Sequence, residues 1–273
     1  MDDQYQLNFT DTHTHLYSEQ FNEDRNYMVQ RALNNGINYM LLPNVDLDTV
    51  DDMLALCKAH PQNIFPMMGL HPCNLGDDWQ NTIQIIEQHL RYNPYIAVGE
   101  IGIDLHWDKT NFNEQRAAFT YQMMLAKELQ LPVSIHCRQA TIECIHIIAQ
   151  HKLFTGGVFH CWGGTLEQAK QVIDMGFAIG IGGVLTFKNS GLPEILKQID
   201  IEDMVLETDA PYLAPVPYRG KRNESAYILE IAHKLEEVKM LPIKAVAEIT
   251  SANAERIFKI QEFIAKQNSK PLS

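Results

Sequence analysis

Short apolar segments alternate with amphipathic segments along the chain, which predicts repeated β-strand and α-helix units. Eight apolar segments have the length of a strand, and a helical pattern follows each of them. These segments cover residues 8–13, 37–43, 64–70, 95–100, 132–136, 157–161, 177–181 and 204–208. Eight such units in succession predict an α/β fold of the (β/α)8 TIM-barrel type.

A doubly wound open sheet is the competing architecture for alternating strands and helices. The chain has no G-x-G-x-x-G after its first strand and no P-loop, the phosphate-binding motifs of many open sheets. Its 273 residues also suit a single barrel, which takes about 250 residues. Because no linker or change of composition divides the chain, we expect one barrel domain over residues 1–273.

Charge limits the kinds of partner that the surface can bind. The formal net charge of −12 argues against a broad basic surface for non-specific binding of duplex DNA. It does not exclude nucleic acid as a substrate, because bound metal ions can hold a phosphate on an acidic protein.

The chain also lacks the sequence features of a secreted or membrane protein. No segment approaches the roughly 18 apolar residues of a membrane span, so we expect no membrane partner. Residues 1–8 lack the basic and apolar regions of a secretory signal. The five cysteines are an odd number without a C-x-x-C pair, which indicates reduced thiols in a cytoplasmic protein. The sequence says little about assembly, and we expect a monomer.

Candidate chemistry begins at the end of the first predicted strand, where His13 and His15 are separated by one residue. Side chains at positions i and i+2 of a strand point to the same face, so both imidazoles can converge on one metal ion. Further metal-ligand types end other predicted strands: Glu100, His136, His160 and Asp209. Because the catalytic residues of TIM barrels gather at the carboxyl ends of several strands, the six residues predict one metal site.

Six ligands are more than one tetrahedral ion needs, and they suit two ions about 3.5–4 Å apart with a bridging carboxylate. The hypothesis places His13, His15 and Asp209 on one ion. It places His136 and His160 on the other, with Glu100 shared by both. Mixed imidazole and carboxylate ligands suit Zn²⁺, Mn²⁺ or Co²⁺, whereas Mg²⁺ prefers more oxygen; the sequence does not identify the ion.

This site predicts hydrolysis by a metal-activated water. A metal ion lowers the pKa of its bound water from 15.7 to about 7. Asp209 would orient that water and take its proton, and the second ion would polarise the scissile phosphoryl or carbonyl oxygen. Glu100 and Asp209 are therefore the expected catalytic carboxylates. A covalent route is not indicated, because the chain has no G-x-S-x-G motif.

The motifs together closely resemble the TatD family of metal-dependent deoxyribonucleases. They are DTHTH (11–15), GLHP (69–72), GEIGID (99–104), IHCR (135–138), FHCW (159–162), ETDAPYL (207–213) and RGKRNE (219–224). The resemblance covers nearly the whole chain. It implies a barrel of the amidohydrolase superfamily and divalent metal dependence. It also implies hydrolysis of ester bonds in DNA, commonly as a 3′→5′ exonuclease on single strands or 3′ ends. The family's ligands fall on the six residues named above.

Several neighbours of the proposed ligands are candidates for binding substrate. His71 ends the third predicted strand and faces the same mouth, although a helix-cap or loop role is equally open. Asp104 is expected to hold either a ligand histidine or the substrate. Trp162 and Tyr212 could stack on a base or simply pack.

Basic residues near the ligands are candidates for phosphate contacts. Arg138 follows a proposed ligand and could reach a phosphate or form a structural salt bridge. Arg219, Lys221 and Arg222 form a basic cluster after the eighth strand, and phosphate contact and a solvated surface are both open.

Two places depart from the family pattern, and rival functions stay open. Tyr17 stands where members usually carry an acidic or amide residue, and Ser225 where a proline commonly follows the glutamate.

A small-molecule amidohydrolase or lactonase is one rival, but such enzymes often use a carboxylated lysine, and no lysine ends a predicted strand. D-aminoacyl-tRNA deacylation on the same site, as in some family members, is another rival, and a non-catalytic metal-binding barrel is the third.

Overall fold

The computed structural model of the protein describes residues 7–107 and 109–269. Its eight strands are β1 Phe9–Asp11, β2 Ile37–Pro43, β3 Ile64–Met68, β4 Ala97–Asp104, β5 Val133–Arg138, β6 Gly157–Phe159, β7 Phe177–Ile181 and β8 Met204–Leu206. The α-helices are α1 Arg25–Asn34, α2 Val50–Ala59, α3 Trp79–Tyr92, α4 Phe112–Leu129, α5 Thr141–His151, α6 Leu166–Asp174, α7 Leu192–Leu196, α8 Ile228–Lys239, α9 Ile243–Phe258 and α10 Ile260–Ser269. Short 3-10 helices cover Glu19–Phe21, Pro72–Asn74, Gly183–Thr186, Ile201–Asp203 and Ser225–Tyr227.

The strands form one parallel sheet in the order β1 to β8, and hydrogen bonds at the carboxyl ends of β1 and β8 connect its two edges. The Thr12 amide donates to the Leu206 carbonyl at 3.0 Å, and the Thr208 amide donates to Asp11 Oδ1 at 2.9 Å. Helices follow the strands as they do in a TIM barrel, so the prediction of a (β/α)8 barrel is confirmed. The single-domain prediction covers residues 1–273, of which 1–6, 108 and 270–273 lie outside the described residues.

Strand ends differ from the predicted ones at the places where side chains turn into the barrel mouth. β1 ends at Asp11, so His13 and His15 lie beyond it and strand alternation does not align them as expected. The loop after β1 positions the two histidines instead, because the His15 amide donates to the Ala210 carbonyl at 2.7 Å. β6 and β8 also end early, and the backbone just beyond them turns into the left-handed region at Cys161 (φ 49°) and Asp209 (φ 54°).

Glu100 does not end β4 as predicted but lies inside it, at an irregularity of the sheet. In the β4–β5 pairing, Val98 faces Val133 and Ile101 faces Ile135, so β4 has one residue more than its partner over this stretch. Such a bulge changes the direction of a side chain, and bulges are common beside active sites. Gly99 permits the close approach, since a Cβ atom there would lie 2.8 Å from the Ser134 Cβ.

The apolar core consists of two clusters of buried side chains. The larger lies around the barrel, where the helices pack on the strands. The smaller joins inward-facing residues of the strands to α9 and α10, with Phe263 of α10 lying edge-on to Phe65 of β3 at 5.7 Å between ring centroids. Among the described residues, no helix combines the length and the apolar character that crossing a membrane requires.

Gly102 of β4 gives a test of how tightly the strands beside the site are packed. Its φ is 153°, and an added Cβ would lie 1.8 Å from the His136 carbonyl oxygen. We expect Gly102→Ala to lower the free energy of unfolding by about 3 kcal/mol or more, because β4 and β5 must separate. Urea unfolding followed by circular dichroism measures this. Gly76→Ala is the control, because an added Cβ meets nothing within 4 Å there, and equal stability of both variants would contradict the described packing.

Candidate metal centre

The mouth of the barrel brings the six predicted ligands together around the carboxylate of Glu100. The Glu100 side chain is 3% exposed, and each of its oxygens faces a different group of imidazoles. Burying a carboxylate is unfavourable unless partners compensate its charge. The arrangement of the histidines therefore determines what this site can hold.

On one side of Glu100, the Oε2 oxygen faces the two histidines that follow β1. It lies 3.2 Å from His13 Nε2 and 3.5 Å from His15 Nε2. Asp209 Oδ1 lies 3.8 Å and 3.5 Å from the same two nitrogens. The ligand atoms of His13, His15 and Asp209 lie close enough together to hold one metal ion.

On the other side, the Oε1 oxygen faces histidines from β5 and from the residues after β3 and β6. It lies 2.9 Å from His136 Nδ1, 2.8 Å from His160 Nε2 and 3.3 Å from His71 Nε2. His136 Nδ1 and His160 Nε2 are 3.2 Å apart. The ligand atoms of His71, Glu100 and His136 form a second candidate group, but those of His13, His160 and Glu207 form a third, so the division of the ligands between two ions stays a prediction.

Tyr17 determines which nitrogen of His15 faces the carboxylates. The Tyr17 hydroxyl donates its one proton to the Pro43 carbonyl at 2.7 Å. Its oxygen must therefore accept from His15 Nδ1–H, which lies 3.0 Å away. A neutral His15 then directs the lone pair of Nε2 at Glu100 and Asp209, as a metal ligand requires.

Asp104 acts in the same way on His136. His136 Nε2–H donates to Asp104 Oδ2 at 2.9 Å, so Nδ1 is the nitrogen that faces Glu100. Burial alone would lower the pKa of His136, but its hydrogen bonds with Asp104 and Glu100 raise it. Of the two roles expected for Asp104, the structure places it on the histidine. Burial alone would raise the pKa of Asp104, but hydrogen bonds, first from His136 and then from two backbone amides, hold it well below its usual range.

His71 differs from the other histidines in the direction of its proton. The Cys73 amide donates to His71 Nδ1 at 3.1 Å, which makes His71 the cap of a short 3-10 helix. Burial lowers the pKa of His71, so the ring is neutral and its proton sits on Nε2, facing Glu100 Oε1. His71 therefore acts as a hydrogen-bond donor to Glu100, and it both caps the helix and faces the mouth.

These directions leave electron pairs facing each other, which tests whether divalent cations fit the site. His15 Nε2 presents a lone pair to carboxylate oxygens, and buried His13 Nε2 has no hydrogen-bond partner among the described residues. Acceptors this close repel one another unless a positive charge lies between them. The residues at this site thus fit divalent cations with nitrogen and oxygen ligands.

The pKa values of the site show the same need for positive charge. Burial alone would raise the pKa of Glu100, but the neighbouring imidazoles, His160 foremost, hold it well below its usual range. Burial alone would lower the pKa of His160, but the Glu100 carboxylate holds it well above its usual value. Burial would also raise the pKa of Asp209, yet the contact with His15 at 3.5 Å and the charge of His160 keep it low. Both carboxylates are therefore ionised at neutral pH.

A buried network positions Asp209. Asp11 accepts from the Thr208 amide and, at 2.6 Å, from the Thr208 hydroxyl, while Asn223 Nδ2 donates to the Thr208 carbonyl at 2.7 Å. The Asp209 amide donates to the His13 carbonyl at 2.9 Å. The segment after β8 is thereby attached to the segment after β1, which explains why Asp209 meets His13 and His15.

Glu207 belongs to the site but was not singled out from the sequence. It is fully buried, accepts a hydrogen bond from the Cys161 amide, and its Oε1 lies 3.7 Å from His160 Nδ1. Gly180 makes room for it, since a Cβ there would lie 2.2 Å from Glu207 Oε2. The available signal was a carboxylate directly after the apolar segment Met204–Leu206 and two residues before Asp209.

The basic candidates for substrate contact lie in different environments. Arg138 is exposed, with its guanidinium 5.4 Å from the centroid of the Trp107 ring. Arg219 is exposed and lies 3.7 Å from the Phe187 ring. Arg222 instead forms two hydrogen bonds, of 2.7 and 2.8 Å, with Asp24. These bonds occupy its guanidinium in a contact between the α1 region and the loop after β8.

The two aromatic candidates, Trp162 and Tyr212, differ in their exposure to solvent. Trp162 is 1% exposed and packs against Phe159, so it is part of the core and cannot stack on a base. Tyr212 is 54% exposed, and its ring lies edge-on to His15 at 6.1 Å between centroids. Only Tyr212 is therefore placed to contact a substrate.

The role of Tyr17 can be measured through metal affinity. We expect Tyr17→Phe to weaken the binding of Zn²⁺ or Mn²⁺ about 10- to 100-fold, because His15 loses the acceptor that fixes its tautomer. Competition with a chromogenic chelator gives the affinity without any activity assay. Tyr39→Phe is the control, because the Tyr39 hydroxyl accepts from Gln261, away from the site. Equal metal affinity of Tyr17→Phe and the wild type would show that Tyr17 does not position His15.

Known proteins share this sequence and architecture. The family model described as TatD related DNase matches residues 10–259. The uncharacterized metal-dependent hydrolase YabD of Bacillus subtilis (strain 168) is 34% identical over 252 residues, which are 92% of this chain and 98% of YabD. The 3′-5′ ssDNA/RNA exonuclease TatD of Rahnella sp. (strain Y9602) is 32% identical over 251 residues, 89% of this chain and 95% of that protein.

A solved structure extends the similarity from sequence to coordinates. The crystal structure of YjjV, a TatD homolog from Escherichia coli K12, superposes with a TM-score of 0.87 at 29% identity. The superposition covers 92% of this chain and 98% of that one. The family match over residues 10–259 contains β2 to β8, all of β1 except Phe9, and all six predicted metal ligands. The chain therefore belongs to the TatD-related DNase family, as its sequence motifs predict.

Proposed function

We propose that this protein is a metal-dependent phosphodiesterase that removes nucleotides from the 3′ end of single-stranded nucleic acid. The observation that carries the proposal is the buried Glu100 carboxylate, which presents one oxygen to each of two imidazole groups. A pair of divalent ions sharing a carboxylate is the arrangement with which many enzymes cleave phosphate esters. Relatives named as metal-dependent hydrolases, and as 3′-5′ ssDNA/RNA exonucleases, support the same reaction.

In this proposal His13, His15 and Asp209 would hold one ion and His136 and His160 the other, and Glu100 would be a ligand available to both. Bound divalent ions supply Lewis acidity and activate water at neutral pH. Zn²⁺, Mn²⁺, Co²⁺ and Mg²⁺ all stay candidates for this role.

Asp209 is the residue we assign to the proton of the attacking water. Its carboxylate is ionised at neutral pH, and its side chain is 13% exposed, against 3% for Glu100. It therefore reaches the mouth of the barrel, where a water molecule can donate to it. Glu100 is buried and surrounded by imidazoles, which suits a shared ligand better than a base.

The phosphates of the substrate need donors at the mouth that carry no structural ion pair. Arg138 and Arg219 meet this requirement among the described residues, whereas Arg222 is paired with Asp24. His71 and Asp104 act on the substrate indirectly, through Glu100 and His136. Local cations of this kind allow an acidic protein to hold a polyanion.

The alternative reactions receive less support from the site. Where many amidohydrolases place a bridging carboxylated lysine, this barrel places Glu100 at the centre of both imidazole groups. Cleavage of aminoacyl-tRNA uses the same residues, so substrate assays separate it from nuclease activity. A monomeric state and a cytoplasmic location stay predictions; all five cysteines are free thiols, as a reducing compartment would have them.

A nuclease assay tests the proposal. Protein stripped with a chelator is supplied with Mg²⁺, Mn²⁺ or Zn²⁺ and incubated with single-stranded DNA labelled at its 5′ end. We expect a ladder that shortens from the 3′ end, and a loss of about 100-fold or more in Glu100→Gln, because an amide is a poor bridging ligand. His13→Ala should be equally inactive.

A matched control separates the loss of a ligand from a general disturbance. Glu128→Gln changes an exposed carboxylate of α4 that pairs with Arg91, and it should retain full activity. Near-normal turnover in Glu100→Gln would refute the shared carboxylate. No cleavage of DNA or RNA by the wild type with any ion, despite bound metal, would refute the nuclease and direct the search to aminoacyl esters.

A further inference from the structure

One large aromatic side chain at the mouth is exposed without a packing role. Trp107 lies in the segment after β4, and 70% of its surface is exposed. A single exposed ring is common on a protein surface, so the position of Trp107 beside the metal-ligand residues and its cationic neighbour carry the argument. The proposed reaction does not use Trp107.

The backbone that carries Trp107 is tied to the metal-ligand residues. Asp104 Oδ1 accepts from the His106 amide at 2.8 Å and from the Trp107 amide at 3.0 Å, while its Oδ2 holds His136. The Leu105 amide donates to the Arg138 carbonyl at 2.9 Å. The Asp104 carboxylate thus connects the backbone of Trp107 to His136 and holds Trp107 at the rim of the site.

Arg138 completes a pair with this ring. Its guanidinium carbon lies 5.4 Å from the Trp107 centroid, within the range of a cation–π contact. Within residues 7–107 and 109–269, it forms no ion pair with a carboxylate, on a chain whose acidic residues outnumber lysine and arginine by 34 to 22. An unpaired guanidinium beside an open aromatic face matches a nucleotide, which offers a phosphate and a flat base together.

We propose that Trp107 and Arg138 form a binding platform for one unpaired nucleotide of the substrate strand. The indole stacks on the base, and the guanidinium contacts the adjoining phosphate. The identity of this ligand rests on the proposed nuclease function. Because both faces of a base are covered inside a duplex, such a platform selects single-stranded ends and tolerates any base.

The experiment compares two substrates in Trp107→Ala, Trp107→Phe and the wild type. One is a single-stranded oligonucleotide, and the other is bis(4-nitrophenyl) phosphate, a diester without a base. We expect the ratio of kcat/KM on the oligonucleotide to kcat/KM on the small diester to fall about 5- to 150-fold in Trp107→Ala, mainly through KM. Trp107→Phe should recover much of the loss, because it keeps a ring.

The control is Tyr92→Ala, which removes an equally exposed aromatic ring (75%) from the last residue of α3, at the opposite end of the barrel. Its ratio should equal that of the wild type. An unchanged ratio in Trp107→Ala, or an equal fall in Tyr92→Ala, would overturn the platform.

A binding measurement separates the platform from the reaction. In protein kept free of metal, an added oligonucleotide should quench the tryptophan fluorescence of the wild type, and Trp107→Phe should abolish this quenching. Quenching without cleavage under any ion would refute the nuclease and keep the platform, whereas cleavage without quenching would refute the platform and keep the nuclease. A fully paired blunt duplex should quench much less.

Discussion

The buried negative charge of Glu100 is the constraint on which the site depends. A carboxylate that is 3% exposed is stable only when positive charge or hydrogen-bond donors surround it. Here β5 and the segments after β1, β3 and β6 direct imidazoles at its two oxygens. The β4 bulge and the close packing at Gly99 serve this one placement, since they turn Glu100 inward where a regular strand would direct it differently. The barrel supplies the rigid frame that makes such a concentration of like groups possible.

The second layer of residues decides what each imidazole can do. Tyr17 accepts from His15 and Asp104 accepts from His136, so the other nitrogen of each ring faces the carboxylates. The Cys73 amide does the opposite to His71, which therefore presents a proton. The same type of side chain thus becomes a metal ligand or a hydrogen-bond donor according to the partner of its other nitrogen. Tyr17 does this with a neutral phenol, because burial raises its pKa well above the usual value.

Much of the architecture could be predicted from the sequence, because periodic apolar segments and residue types at their ends are local signals. All eight strands lie where the pattern placed them, with ends that shift by up to a few residues. The bulge at Glu100 and the turn at Asp209 were not predictable, since they depend on contacts between distant strands. Ion pairs between residues distant in sequence could not be predicted either, such as Arg222 with Asp24, which are 198 positions apart. Trp107 was passed over because a lone tryptophan in a loop carries no signal until its exposure is known.

The central claim is that Glu100 is shared by two metal ions, and an anomalous diffraction map of crystals soaked in Mn²⁺ tests it most directly. The account predicts two peaks, one beside His13, His15 and Asp209 and one beside His136 and His160, with the Glu100 carboxylate between them. Crystals of Glu100→Gln should lose at least one of these peaks while the barrel stays intact. A single peak in the wild type, or two peaks that Glu100 does not touch, would contradict the account.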